Sequence, residues 1–375
     1  FPAFVEDRAA RASFHEIETQ VRSWMTEHSA FHGMDEEATV PAEPSDLVGT
    51  VRYADCPAAP LDKIGSYHLL KQIGEGGMGV VYLAEQREPI RRRVALKIVK
   101  PGLDTARVIA RFEAERQTLA LMDHANISQV LDAGVAVDNR PYFAMELVPG
   151  LSITRYCDQA RMSVRDRIGL FVTVCRAVQH AHQKGIIHRD IKPSNVLVVD
   201  SEQGPVPKVI DFGVAKAVEA HDAQETDFTM DGHAVGTPLY MSPEQAKLAN
   251  SDIDTRTDVY SLGVLLYELL TGTTPIEKSR LREMDLADLR KAVRKEEPPK
   301  PSARLRQLGE QLDHAARHRG TDPRGLLQTV RGDLDQIVQK AISKDRNLRY
   351  PTANGLARDI ERYLDCRPVE AAAPS

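Results

Sequence analysis

The stretch GIIHRDIKPSNVLVVD, positions 185–200, crowds His188, Arg189, Asp190, Lys192, Ser194 and Asn195 between strand-forming Ile and Val. Such crowding makes either an ordinary polar turn or an active-site loop. Sixteen residues beyond Asn195, after the strand-like KVI, Asp211 opens DFG. A carboxylate there could hold a hard cation such as Mg²⁺, which takes oxygen ligands. Nearer the start, IGEGGMGVVY spaces Gly74, Gly76 and Gly79 as GxGxxGxV, with Glu75, Gly77 and Met78 between them. In a dinucleotide-binding turn a helix follows the third glycine, but here VVYLAEQ reads as a strand. A strand, glycine loop and strand can fold over a triphosphate, because no Cβ keeps the backbone N–H groups away. VALK begins fourteen residues after VVY, placing Lys97 in an apolar strand. A lone lysine in a strand is ordinarily a surface residue that snorkels its stem.

The elements that must position these residues follow from periodicity. From Tyr67 the chain runs through short β-like segments, YHLLKQI, VVYLAEQ, RRRVALKIV and PYFAMELV, interrupted by one helical pattern at about 104–122. Beyond Gly150 helical patterns dominate, in RDRIGLFVTVCRAVQHAHQK, TDVYSLGVLLYELLTG and PTANGLARDIERYLD. A strand-rich half followed by a helix-rich half predicts an α+β fold. Ahead of it, residues 1–66 hold 12 acidic against 5 basic residues, net −7, and the remainder 44 basic against 42 acidic, net +2. Phe14, Ile17, Val21, Trp24 and His28 predict an amphipathic helix at about 12–31, followed by a Pro- and Glu-rich linker. Its apolar stripe either packs on the neighbouring domain or binds a partner.

The whole chain of 375 residues has net charge −5, which gives no case for a nucleic-acid partner. No apolar run is long enough to span a bilayer, so no membrane contact is expected within the chain. Four scattered cysteines, Cys56, Cys157, Cys175 and Cys366, read as reduced thiols of a cytoplasmic protein. A first residue of Phe fits a fragment or a processed product, and a membrane anchor outside the chain stays compatible.

Taken together, GxGxxGxV, VALK, HRDxxxxN and DFG, in this order and over about 67–365, resemble the eukaryotic-type protein kinases, most nearly the bacterial Ser/Thr branch. The resemblance implies a bilobal fold. Residues 67–150 would form a small antiparallel β-sheet lobe plus one helix, and 151–365 a larger, mainly helical lobe, with 366–375 left as a tail. It also implies ATP and Mg²⁺, or Mn²⁺, as cofactors. Lys97 would hold the α- and β-phosphates, oriented by Glu115, with Glu113 the fallback. Asp190 would accept the proton of the substrate hydroxyl or orient it. Asn195 and Asp211 would bind the metal. Ile73, Val81, Ala95 and Leu197 would sandwich the adenine, Met145 would guard its rear, and Glu146 and Val148 would offer hinge backbone groups. Leu119, Val130, His188 and Phe212, followed by Gly213, match the stack that couples the lobes.

Lys192, two residues after Asp190, resembles the lysine that meets the γ-phosphate in Ser/Thr kinases, and Thr237 in GTPLYMSPE matches the threonine that bonds the catalytic Asp and Lys there. Ser or Thr of a protein is therefore the implied acceptor. Glu244 would pair with Arg349, and Asp258 would brace the catalytic loop. Arg189 marks kinases switched by loop phosphorylation. Thr226 and Thr229 are the candidate phosphosites, reached in a transient homodimer. Ser152 and Ser194 occupy positions that are acidic in kinases favouring basic peptides, so no strong preference for Arg is expected. Residues 277–332, with 14 basic against 9 acidic residues, read as a solvated helical insertion or a surface for an acidic partner. The competing reading is a pseudokinase scaffold, which would lack one of Lys97, Asp190, Asn195 or Asp211.

Overall fold

In RRVALKIV, Val94, Leu96 and Ile98 are at most 3% exposed, while Ala95 and Lys97 alternate with them on the opposite face. This strand is the fourth of six in an antiparallel sheet. β1 (Lys63–Ile64), β2 (Tyr67–Gly76), β3 (Gly79–Gln86), β4 (Arg92–Val99), β5 (Val130–Val135) and β6 (Pro141–Glu146) pair in the order β1-β2-β3-β4-β6-β5. The Val94 face closes a small core with Tyr67, Ala84, Tyr142 and Ala144. The Lys97 face is thereby left for the second lobe. These positions come from a computed structural model, which describes residues 63–76, 79–99, 122–136, 140–212, 238–247, 253–277, 280 and 284–372.

A second, three-stranded sheet, β7 (Leu151–Ser152), β8 (Val196–Ser201) and β9 (Gly204–Val209), opens the helical lobe. Nine helices lie among the described residues: α1 (Ile153–Gln159), α2 (Val164–Gln183), α3 (Thr255–Thr271), α4 (Leu286–Lys295), α5 (Pro301–Gln307), α6 (Gln311–His318), α7 (Pro323–Val330), α8 (Asp333–Ala341) and α9 (Ala353–Leu364). α3 is buried on every side from Thr257 to Thr271, as expected of a helix apolar all round. Asp254 caps its start by accepting from the Arg256 N–H, and Gly272 ends it at φ 84°. A Cβ on Gly263 would come within 2.7 Å of Ala341 Cβ and Ile342 Cγ2, so glycine permits the close approach of α3 and α8. Around α3 pack α2, α8 and α9. The strand-then-helix order of an α+β fold, in two lobes, is the observed one. No helix of the described residues is long and apolar enough to cross a membrane. Cys157 and Cys175 are buried free thiols, and burial pushes the former up to about 11.

Three expectations change at the boundaries. The sheet begins before Tyr67, because β1 pairs with β2 through Ile64 and Tyr67. The stretch read as a tail is seated through residue 372. Buried Asp359 accepts from the Glu370 N–H at 2.5 Å and the Ala371 N–H at 2.9 Å, as well as from the Tyr350 hydroxyl at 2.6 Å. The basic stretch 277–332 is helical, but it is not a purely solvated insertion: Leu305, Leu326 and Val330 are fully buried in the main core. The helix expected at about 12–31, and all but the last residue of that expected at about 104–122, lie outside the described residues, with Trp24, Glu113, Glu115 and Leu119. So do Gly77, Met78, Gly213, Thr226, Thr229 and Thr237.

Candidate active site

The glycine loop is a hairpin. Gly74 pairs with Val81, Glu75 with Val80 and Gly76 with Gly79, so a strand does follow the third glycine. At Gly79 a Cβ would sit 2.2 Å from the Ile98 carbonyl oxygen, so only glycine lets β3 start against β4. Gly79→Ala is expected to separate β3 from β4 at the loop's base and to raise several-fold the KM for the ATP that the resemblance implies; an unchanged KM would remove the loop from that role. Register then sets the lining. Val81 lies opposite Lys97 and Ala95 opposite Met145, on the sheet face that Lys97 shares. Ile73, Val81, Ala95 and, on β8, Leu197 are all half-buried, whereas Met145 is buried.

Lys97 Nζ reaches Asp211 Oδ2 at 3.0 Å, joining the sheet lobe to the helical lobe across 114 residues of sequence. Asp211 sits at φ 63°, a left-handed conformation that a non-glycine residue adopts at a cost. The main chain before it is tied down on both sides: the Ile210 N–H donates to the Asn195 carbonyl and the Val209 N–H to the Asn126 carbonyl.

The polar loop hangs between two fully buried anchors, Ile191 and Val196. Pro193–Asn195 form a single 3₁₀ turn, for which proline is suited at the first position. This turn sends three polar side chains to one point. Lys192 Nζ lies 2.7 Å from Asp190 Oδ2, and Asn195 Nδ2 donates to the same oxygen at 3.1 Å and to the Asp190 carbonyl at 2.8 Å. With its nitrogen on Asp190, the Asn195 amide directs its oxygen elsewhere. Asp211 commits one oxygen to Lys97 and has a second. An amide oxygen and a carboxylate oxygen are the hard donors that Mg²⁺ takes, so this pair fits that ion.

Below the loop, fully buried Asp258 accepts from the His188 and Arg189 N–H groups, each at 2.8 Å, and from His182 Nε2 at 2.7 Å. Burial alone would raise the Asp258 carboxyl, but the hydrogen bonds that it accepts from His182 and the His188 N–H outweigh it and hold it below the usual carboxylate range. These bonds retain Arg189 at φ 66°, helped by Gln245 Nε2, which donates to the Arg189 carbonyl at 2.7 Å. His188 accepts from the Asp190 N–H through Nδ1 and so donates through Nε2 to the Ile210 carbonyl, linking the HRD and DFG segments. Its ring meets that of buried Phe212 edge-on at 4.6 Å. Val130 packs against the same core.

Glu244 and Arg349 form a buried bidentate pair at 2.7 and 2.8 Å, with the Thr257 hydroxyl donating to Glu244 at 2.8 Å. At the strap between lobes, the Glu146 N–H is taken by the Gln129 carbonyl, and the Glu146 carbonyl has the Ser128 hydroxyl at 3.4 Å. The Glu146 carboxylate bonds Lys208 and the Gln129 N–H. The Val148 carbonyl accepts from the Gly150 N–H at 3.0 Å. Sequence reading passed over Lys208, His182 and Gln245. Only the placement of Lys208 three residues before DFG, and of Gln245 beside SPE, hinted at them.

Residues 67–359 match the protein kinase domain family, and the chain belongs to it. Among relatives, it is 37% identical over 254 residues to the serine/threonine-protein kinase Pkn1 of Myxococcus xanthus, covering 67% of this chain and 35% of that one. It is 36% identical to the probable serine/threonine-protein kinase SCO3848 of Streptomyces coelicolor, covering 82% and 41%. With PknB of Mycobacterium tuberculosis it shares 33% identity, covering 81% and 44%. The chain thus spans about two fifths of the length of these relatives. In fold it is similar to the crystal structure of the M. tuberculosis PknI kinase domain double mutant, with a TM-score of 0.57 and 23% identity over 80% of this chain and 97% of that one.

Proposed function

We propose that this chain is a Ser/Thr protein kinase, transferring the γ-phosphoryl group of ATP to Ser or Thr hydroxyls of proteins. The observation that carries the reading is the convergence of Lys192 and Asn195 on Asp190 beside the Lys97–Asp211 bridge. Kinase catalysis consists mainly of positioning and charge stabilisation, which such a cluster supplies. Asp190 receives or orients the acceptor hydroxyl. Lys192, a point charge already beside that carboxylate, is suited to the transferring phosphoryl oxygens, and Thr237, by its place in GTPLYMSPE, would bond Asp190 and Lys192. Lys97 holds the α- and β-phosphates. Asn195 and Asp211 would hold Mg²⁺ or Mn²⁺, which supplies neutralisation of phosphate charge when bound. The glycine loop, from Gly74 through Glu75, Gly76, Gly77 and Met78 to Gly79, covers the phosphates. Ile73, Val81, Ala95, Leu197 and Met145 enclose the base, and Glu146 and Val148 contact its edge. All four of Lys97, Asp190, Asn195 and Asp211 are present, which weighs against a pseudokinase.

The division into an acidic segment, two lobes and a short C-terminal stretch, a cytoplasmic location, and phosphorylation of Thr226 or Thr229 in a transient homodimer, with Glu115 orienting Lys97, belong to the same proposal. Incubation with labelled ATP and Mg²⁺ tests it. Label is expected on Ser and Thr and not on Tyr, and mass spectrometry is expected to find phosphate on Thr226 or Thr229. A chain that incorporates none with either metal is not the enzyme proposed.

A further inference from the structure

Away from the cleft, α6 carries His314 and His318, four residues apart and so on one helix face. Their rings meet at a tilt of 61° with centroids 4.3 Å apart, and the two Nε2 atoms are 3.1 Å apart. His318 is held from behind. Its Nδ1 lies 3.1 Å from the main-chain carbonyl of Asp158 in α1. A carbonyl only accepts, so Nδ1 carries the proton and Nε2 turns a lone pair toward His314. The main-chain oxygen of His318 accepts from Arg167, a fully buried guanidinium that also binds the Cys157 and Met162 carbonyls, each at 2.9 Å.

We propose that His314 and His318 are a two-imidazole site for a divalent transition-metal ion of the zinc class. Tetrahedral zinc, with bonds of about 2.0–2.1 Å, places two nitrogens roughly 3.3–3.4 Å apart. The observed 3.1 Å is a few tenths of an ångström short of that, a gap that rotation of the exposed His314 ring closes. Metal-bound histidines characteristically donate their other N–H to a carbonyl or carboxylate, and the Asp158 oxygen fills that place for His318. Imidazole suits zinc, copper and nickel and is passed over by Mg²⁺, so the site is chemically separate from the oxygen donors of the cleft. No group of three or more His, Cys, Asp or Glu poised for a metal occurs among the described residues, so the two imidazoles would be the protein's whole contribution to the site. His314 is exposed, which opens the site to ions from solvent. An ion here would join α6 more firmly to α1 through His318.

The test is calorimetric titration of the chain with Zn²⁺ in excess Mg²⁺, comparing wild type with His314→Ala and His318→Ala. One site is expected in wild type, weakened at least about tenfold in each variant, since even partners behind a ligand are worth 10–100-fold. Zn²⁺ should raise Tm in wild type and not in the variants. Long-range ¹H–¹⁵N spectra should show both Nε2 signals moving while the His318 Nδ1 proton persists. Absence of a one-to-one site, equal affinity in wild type and both variants, or unmoved Nε2 signals would each overturn the proposal, leaving the pair a hydrogen bond between two imidazoles. His314→Ala truncates an exposed side chain, so its kinase activity without Zn²⁺ should match wild type.

Discussion

Asp190→Asn is expected to lower kcat for phosphoryl transfer by about 10²–10⁴-fold, the range contributed by a positioned acid–base group. KM for ATP should change less than about threefold, because the interaction lost is made only as the hydroxyl reacts. Asparagine is nearly isosteric and can still accept from Asn195 Nδ2, which lies 3.1 Å from the carboxylate. What disappears is the negative charge that Lys192 balances at 2.7 Å and that, in the role proposed, receives or orients the hydroxyl. The folded state should hardly notice, since the Asp190 side chain is 43% exposed and exposed ion pairs contribute about 0–1 kcal/mol. Unchanged Tm and unchanged nucleotide binding, with kcat down by orders of magnitude, would separate a chemical role from a structural one. A variant within about threefold of wild type in kcat would remove Asp190 from the chemistry.

Much of this arrangement can be read from the chain, for identifiable reasons. Alternation in β4 alone places Val94, Leu96 and Ile98 in the core and Lys97 on the other face. The family follows from four motifs whose order and spacing together leave one fold, and residues 67–359 match it. The resemblance implies that Glu244 pairs with Arg349, 105 residues on, and the two are in contact. What escaped reading depends on contacts that no local pattern encodes. Lys208 meets Glu146 because β9 and the strap are brought together by the Asn126–Gln129 segment, not because of any spacing between them. Lys97 bridges to Asp211, a partner that no pattern along β4 announces. The seated C-terminal stretch depends on Asp359, which lies on the buried side of α9 and draws main-chain N–H groups onto itself.

Arg349→Ala or Glu244→Ala should each destabilise the fold by about 3–5 kcal/mol, the effect of leaving one charge buried without its partner. Both residues are at most 5% exposed, and the guanidinium also serves the Ser343 and Arg256 carbonyls and lies over the Tyr260 ring at 5.0 Å. At roughly 2–4 °C per kcal/mol, Tm should fall on the order of 10 °C. Glu244→Leu with Arg349→Met should lose less than the two single replacements together, because neither charge then remains to be solvated. Additive losses would mean that the two residues act separately. The pair also predicts a pH dependence. Burial would raise the Glu244 carboxyl, but the hydrogen bonds and charge of Arg349 hold it below its ordinary 4.5. A carboxyl lowered in the folded state stabilises fully above its unfolded value and loses that contribution as pH falls toward the folded one. The advantage of wild type over Glu244→Gln should therefore be constant near neutrality and shrink below about pH 4.5. Activity should follow stability in the single variants. The neighbouring Gln245 holds the Arg189 carbonyl, so freeing Glu244 loosens the strained residue that precedes Asp190.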